Sequence, residues 1–276
     1  KRILLVNGRP IPNIDGKTDT LLITFRDITE YRTAKGEIMR LNSVLVEYNA
    51  LLMATNNELE AFTYSASHDL RAPLRAMHGF SKILLDEFSE NFNDTGRHYL
   101  ERISVNAEQM TNLIDDLLRL SRITKTEVGK SDVNLSEMAR QFGEELQNRY
   151  PEREVEFRIE NDIVVQGDRR LLQQAIENLL QNAWKFTREE DNAVIEFGCI
   201  RSGDREEYYV RDNGAGFDND KSEEMFKPFT RLHSSEHFSG TGIGLSLVQR
   251  IIQRHGGEVR AEGKAGEGAV IYFSLK

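Results

Sequence analysis

Residues 169–186 read Arg-Arg-Leu-Leu-Gln-Gln-Ala-Ile-Glu-Asn-Leu-Leu-Gln-Asn-Ala-Trp-Lys-Phe, and Asp168 stands just before them. The run reads as a helix, with Asp168 as its N-cap because a short carboxylate can take the free N–H groups of a first turn. Asn178 and Asn182 are four apart and Lys185 follows three later, so all three share one helical face. Asparagine is a poor residue for a helix interior, so two on one face need a reason outside the helix. Their amide oxygens suit a hard cation such as Mg²⁺, and a lysine ammonium suits a phosphate. A helix with a merely polar face is the plainer alternative. Trp184 reads as packing.

Around this helix, everything after Gly129 alternates between helix and strand patterns. Helix Leu135 to Arg149 and strand Val155 to Glu160 come before it. Strands Val194 to Arg201 and Glu207 to Arg211 follow. Helix Ile243 to Arg254, stopped by Gly256-Gly257, then precedes strands Glu258 to Ala261 and Ala269 to Leu275. Such a set makes an α/β two-layer sandwich with helices over one face of a sheet. Two glycine loops interrupt it: Asp212-Asn213-Gly214-Ala215-Gly216 and Gly240-Thr241-Gly242-Ile243-Gly244-Leu245. The second opens a helix, where free N–H groups and the positive dipole end favour phosphate. It lacks the Lys-Ser/Thr of a P-loop and does not match the dinucleotide fingerprint. Asp212 ends a strand and could accept a hydrogen bond from the exocyclic amine of adenine. Between the loops run the 23 residues Phe217 to Ser239, with Phe226, Pro228, Phe229 and Arg231; they read as a mobile lid over bound nucleotide. His233 and His237 lack a third metal ligand and read as solvated loop residues. His255 reads as a helix-end residue.

The first half of the chain is patterned differently. Runs Ile3 to Val6 and Thr20 to Phe25, separated by the turn-rich Gly8 to Asp19, read as a hairpin. From Ile38, apolar residues at Leu41, Leu45, Tyr48, Leu52, Leu59 and Phe62, with Thr55 the one polar member, trace a heptad seam of a dimeric coiled coil. The seam changes phase near Ala66 and Leu70, a stutter that locally unwinds a supercoil. His68 falls at this break, about 200° around the helix from Ala66 and away from the seam. Pro73 removes a helical hydrogen bond and should bend the helix just beyond. A polar loop over residues 87–95 leads to a second helix carrying Ile103, Ala107, Met110, Ile114 and Leu117. Two such hairpins pairing into a four-helix bundle would cover both apolar stripes. An exposed imidazole becomes a nucleophile when a carboxylate holds its opposite nitrogen protonated, and Asp69 stands next to His68. A helical His-Asp pair on its own is more often a solvated surface pair.

Bulk properties narrow the classes. The formal net charge of −9 disfavours nucleic acid as a partner. The single cysteine, Cys199, permits no intrachain disulfide, which fits a reducing, cytoplasmic setting, and reads as buried filling in a strand. No run of about 18 apolar residues is present, so no membrane contact is expected within this stretch, although it could be the cytoplasmic part of an anchored receptor. The chain opens at Lys1 directly into a strand, as a fragment of something longer would.

Taken together, the motifs closely resemble the histidine kinases of two-component signalling, in family order over about residues 60 to 276. They are the phosphoacceptor box Ser67-His68-Asp69-Leu70-Arg71-Ala72-Pro73-Leu74, the N box Asn178 to Lys185, the two G boxes, and the F box Phe226 to Arg231. Asp27-Ile28-Thr29-Glu30 resembles the end of a PAS sensor domain. The resemblance implies an α+β organisation: a PAS remnant at 1–30, a coiled-coil signalling helix at 31–62, a dimerisation and histidine phosphotransfer domain at 63–128, and a Bergerat-type ATP-binding domain at 129–276. It implies ATP and Mg²⁺ as ligands, His68 as phosphoacceptor, Asp69 as its base, and Asn182 with Asn178 near the metal. The nucleotide would meet Asn178, Asn182, Lys185, Asp212, Gly214, Gly216, Arg231, Gly240, Thr241, Gly242, Gly244 and Leu245. The partners would be a second copy in a homodimer and the receiver domain of a response regulator. Two departures stand out. Ala72 replaces the Thr or Asn often found in members with phosphatase activity, and Ala269-Val270 replaces the hydroxyls that usually follow the last glycine box. Two other classes stay open: an ATPase of the chaperone, gyrase or mismatch-repair type, which would place a glutamate where Asn178 stands, and a non-catalytic scaffold, which has no use for an exposed His-Asp pair.

Overall fold

The computed structural model describes residues 2–11, 20–123, 129–203, 205–230, 232, 238 and 240–276. The chain divides into two compact units, Lys1–Phe62 and Thr63–Lys276. In the first, strands β1 (Leu4–Ile11) and β2 (Thr20–Asp27) pair antiparallel from Leu4 opposite Asp27 to Ile11 opposite Thr20. The expected hairpin is present but longer than read, since Gly8 to Ile11 belong to β1 rather than to the turn. Pro10 fits because a strand edge need not donate a ladder hydrogen bond. Residues 12–19 lie outside the described residues. Asp27 Oδ1 accepts from the Thr29 backbone N–H (2.9 Å) and hydroxyl (2.6 Å), and helix α1 (Thr29–Phe88) starts there.

Helix α1 keeps its assignment through Pro73 for all 60 residues. After a short 3-10 turn at Ser89–Asn91, helix α2 (Asp94–Ile123) returns, so the connecting loop is shorter than the expected 87–95. Leu74, Ala107, Ile114 and Leu118 form a small core between the two helices. Met77, Phe80, Ile103 and Met110, which share the apolar pattern, stay exposed in a single copy.

The rest is the two-layer sandwich. Helices α3 (Leu135–Arg149), α4 (Arg169–Phe186) and α5 (Gly244–Arg254) lie on one face of a sheet. Asn134 Oδ1 caps α3 through the Glu137 N–H at 2.9 Å. Asp168 Oδ1 caps α4 through the N–H groups of Arg170 (3.0 Å) and Leu171 (3.2 Å). The sheet comprises β4 (Val155–Ile159), β6 (Ala193–Ser202), β7 (Arg205–Asp212), β8 (Val259–Lys264) and β9 (Gly268–Phe273). Its order is β4-β6-β7-β9-β8; β4 and β6 run parallel and the other neighbours antiparallel. A second, two-stranded sheet pairs β3 (Ser131–Asn134) with β5 (Val164–Gly167). Strands of four residues are too short to show a period, so neither was expected. Ile195, Phe197 and Phe273 from the sheet meet Leu172, Ile176, Leu179, Leu180, Leu247 and Ile251 from the helices in one buried core. The opposite sheet face is solvated and carries ion pairs, Arg158 to Glu196 (3.1 Å), Arg211 to Glu196 (3.3 Å) and Arg260 to Glu207 (2.6 Å), which is why helices cover only one side. Among the described residues no helix is long and apolar enough to cross a membrane.

Candidate functional site

Burying Leu172, Ile176, Leu179, Leu180 and Ala183 turns the other face of α4 outward. That face carries Asn178, Asn182 and Lys185 into a cavity of about 1070 Å³. Asp212, Gly216, Gly240, Thr241, Gly242, Gly244 and Leu245 line the same cavity, so residues spread over nearly seventy positions converge as the motifs implied. Trp184 stacks on Phe157 (6.1 Å between ring centres) under the Arg153 guanidinium (4.4 Å), which agrees with a packing role.

The amide of Asn178 is oriented. Its Nδ2 donates to the Gln174 carbonyl at 2.7 Å, which leaves Oδ1 toward the N-terminus of α5. A Cβ at Gly244 would stand 2.9 Å from that oxygen, so glycine is what lets the helix end and the amide approach. Lys185 Nζ lies 4.1 Å over the Phe186 ring and close to Gly240. Asp212 ends β7 with its carboxyl almost wholly buried, accepting from the Gly214 N–H at 3.0 Å. Burial pushes its pKa from 3.8 up to about 6, against the N–H groups of Gly214 and Ala269, which pull it down. Gly214 itself does not line the cavity; it shapes the turn that holds Asp212. Gly216 has φ +58°, and a Cβ there would fall 1.9 Å from the Lys264 carbonyl oxygen, so only glycine closes this turn.

The segment read as a lid is partly core. Phe217 and Phe226 are buried in the main cluster, and the Phe229 N–H donates to the Gly242 carbonyl at 3.0 Å with φ +65° at Phe229. Residues 217–230 are therefore anchored by the side chains of Phe217 and Phe226 and by the backbone of the exposed Phe229. Arg231, His233 and His237 lie outside the described residues. His255 has a structural role that sequence reasoning did not supply. It is buried, donates from Nδ1 to the Ile251 carbonyl (2.8 Å), and accepts the Asp168 N–H at Nε2 (3.0 Å), joining the end of α5 to the cap of α4.

The phosphoacceptor candidate is elsewhere. His68 and Asp69 sit on α1 with side chains 74% and 76% exposed, and His68 Nδ1 is 3.3 Å from Asp69 Oδ1. The ring is open to another molecule, and neither residue lines the cavity. Three positions on, Arg71 Nη2 donates to Asp115 Oδ1 of α2 at 2.7 Å. The next residue, Asp116, reaches the cavity with Arg119, and Asp116 Oδ2 accepts from the Thr241 hydroxyl at 2.7 Å. No sequence signal pointed to these two α2 residues, because the contact joins positions 125 apart. Among the described residues no group of three or more His, Cys, Asp or Glu side chains could hold a metal.

An oriented amide face, a buried carboxylate and two glycine turns around one cavity define a nucleotide-binding domain, joined to a helical hairpin that presents a histidine. Residues 167–276 match the family described as histidine kinase-, DNA gyrase B- and HSP90-like ATPase, and residues 58–126 match the His Kinase A (phospho-acceptor) domain. The chain belongs to the sensor histidine kinases. It is 36% identical over 244 residues to cyanobacterial phytochrome B of Nostoc sp., covering 87% of this chain and 32% of that protein. It is 31% identical over 242 residues to the methanogenesis regulatory histidine kinase FilI of Methanothrix harundinacea, covering 87% and 27%. The chain thus spans roughly a third of the length of the curated relatives it matches. Full-length ShkA in complex with AMPPNP shares the fold, with a TM-score of 0.56 at 24% identity over 78% of this chain and 45% of that one.

Proposed function

We propose that this chain binds Mg-ATP in the cavity over α4, transfers the γ-phosphoryl group to His68, and passes it on to an aspartate of a response regulator. One observation carries the reading: a cavity built from Asp212, the amides of α4 and two glycine turns occurs in a chain whose hairpin presents an exposed imidazole with a carboxylate at Nδ1. Asp69 at Nδ1 favours the tautomer protonated there, which leaves the Nε2 lone pair free to attack phosphorus. As the Nε2–P bond forms and the bond to the ADP oxygen breaks, the ring gains positive charge that the Asp69 carboxylate stabilises. Asp212 accepts from the adenine amine, the N-terminal turn of α5 and Lys185 meet phosphate, and Asn182 with Asn178 face the cation through amide oxygens. Mg²⁺ would neutralise charge developing on the phosphate oxygens. Since His68 does not line its own chain's cavity, transfer requires the catalytic domain to be brought to a phosphoacceptor helix, its own or that of a second copy in a homodimer.

Incubation with γ-labelled ATP and Mg²⁺ should give an acid-labile, alkali-stable protein label that is absent in His68→Ala. Asn182→Ala should abolish labelling while leaving the oligomeric state unchanged. Steady phosphate release with no bound label would mean a plain ATPase, and normal labelling of Asn182→Ala would overturn the metal assignment.

A further inference from the structure

The contact between Asp116 and Thr241 places a bundle carboxylate where a nucleotide phosphate is expected. A hydroxyl carries one O–H donor. In Thr241 that donor goes to Asp116 Oδ2 at 2.7 Å, while the lone pairs of the same oxygen face the Ile243 N–H at 3.4 Å and so help shape the glycine turn. Asp116 is held from its own helix by Arg119, whose Nη1 lies 3.7 Å from Oδ1. Both α2 side chains line the cavity together with Thr241, Gly242 and Gly244.

We propose that Asp116 is a built-in competitor for the phosphate subsite: its carboxylate takes the Thr241 hydroxyl that a nucleotide phosphate would otherwise take, so that phosphate and the bundle helix exclude each other at the glycine turn. Two arguments support this. The single proton of Thr241 cannot serve two acceptors at once, so a phosphate oxygen that gains it must displace Asp116. A carboxylate and a phosphate in one cavity also repel, and the low-dielectric walls strengthen that repulsion relative to water. Asp116 therefore lowers the affinity for phosphorylated nucleotides but not for the nucleoside, and filling the phosphate subsite loosens the hold of α2 on the catalytic domain. By linkage, whatever pulls α2 away from Thr241 raises nucleotide affinity by the same factor. The structure accordingly holds the two domains in an arrangement that ATP itself undoes, consistent with His68 lying outside the cavity.

The inference rests on the nucleotide reading above, and its test separates the two. In the full chain, dissociation constants for ATP, ADP and adenosine are measured by displacement of a fluorescent nucleotide from the wild type and from Asp116→Asn, which keeps the shape and an acceptor but loses the charge. ATP and ADP should bind at least about fivefold more tightly to the variant, the low end of ordinary coupling between sites, with adenosine changing less than twofold. Amide hydrogen exchange on the wild type supplies a reading that needs no variant: ATP should raise exchange in α2 around residues 112–119, and adenosine should not. The proposal is overturned by ATP affinity in Asp116→Asn within twofold of wild type or weaker, by an equal gain for adenosine, or by α2 exchange unmoved by ATP. In each of these cases wild-type ATP binding itself leaves the kinase reading standing. A wild type that binds adenosine but neither ATP nor ADP, or none of the three, would remove both.

Discussion

At the scale of single residues, Asp212 shows how burial and ligand chemistry conflict. Inside the domain burial disfavours its charged form, and the carboxyl holds its proton up to a pKa of about 6 in place of 3.8. In the proposed adenine contact it would accept a hydrogen bond, which the ionised carboxylate does more strongly than the neutral acid. Because the folded state holds its proton to a higher pH than the unfolded state does, the folded state binds more protons between pH 3.8 and 6. Stability therefore falls as pH rises through that window, and the full cost is present above it. The rise in pKa corresponds to at most ~3 kcal/mol. Asp212→Asn should be more stable than wild type at pH 7 by about 1–3 kcal/mol, with the difference fading toward pH 4, as read by urea unfolding at several pH values. Wild-type ATP affinity should weaken as pH drops below 6 if the ionised form is the adenine acceptor; a flat profile would assign the adenine contact elsewhere. The site residues were legible singly, as asparagine in a helix and glycine in turns. The burial that shifts Asp212 was not, since it depends on how Ala269 of β9 and the turn at Gly214 close over it.

Elements show what capping and adjacency do. The limits read for α3 and α4, 135–149 and 169–186, coincide with those observed, and Asp168 caps α4 as expected. Caps are local chemistry, so sequence reveals them. Asp168→Ala should lower stability by about 1–2 kcal/mol through loss of that cap. Nucleotide affinity should change less than threefold, because Asn178 and Asn182 lie two and more turns farther along the helix. Thermal unfolding beside nucleotide titration separates the two effects. Helix α2 holds the less legible chemistry. Neighbouring positions on a helix point 100° apart, so Asp115 can pair with Arg71, three positions after His68, while Asp116 turns to the glycine loop. In the sequence these are two more acidic residues on a charged helix. Only the arrival of α5 against α2 distinguishes them.

For the whole molecule, one hairpin leaves Met77, Phe80, Ile103 and Met110 exposed, with Phe80 at 67%. A second copy covering this stripe is the economical arrangement, since buried apolar surface contributes about 25 cal/mol per Å². Sedimentation of the chain should report a dimer, and Met77→Asp with Phe80→Asp should shift it toward monomer while leaving adenosine binding intact. A wild-type monomer at micromolar concentration would sink the four-helix reading. Residues 1–30 read from sequence as a hairpin and Ile38 to Phe62 as a heptad seam; the two strands are present, and the long helix α1 spans the seam.

Sequence alone determined the longer elements, though not the four-residue strands β3 and β5, and the inventory of chemistry: helix and strand periods, the Asp168 cap, glycine turns, a histidine beside an aspartate, and the order of the motifs. Those signals act over a few residues and survive without neighbours. Tertiary structure alone decided which groups meet. It folded Phe217 and Phe226 into the core, set His255 between two helices, kept His68 out of its own chain's cavity, and laid Asp116 against Thr241. Each of these depends on packing between segments far apart in the chain, where the free energy comes from burial and from single hydrogen bonds that no local pattern encodes.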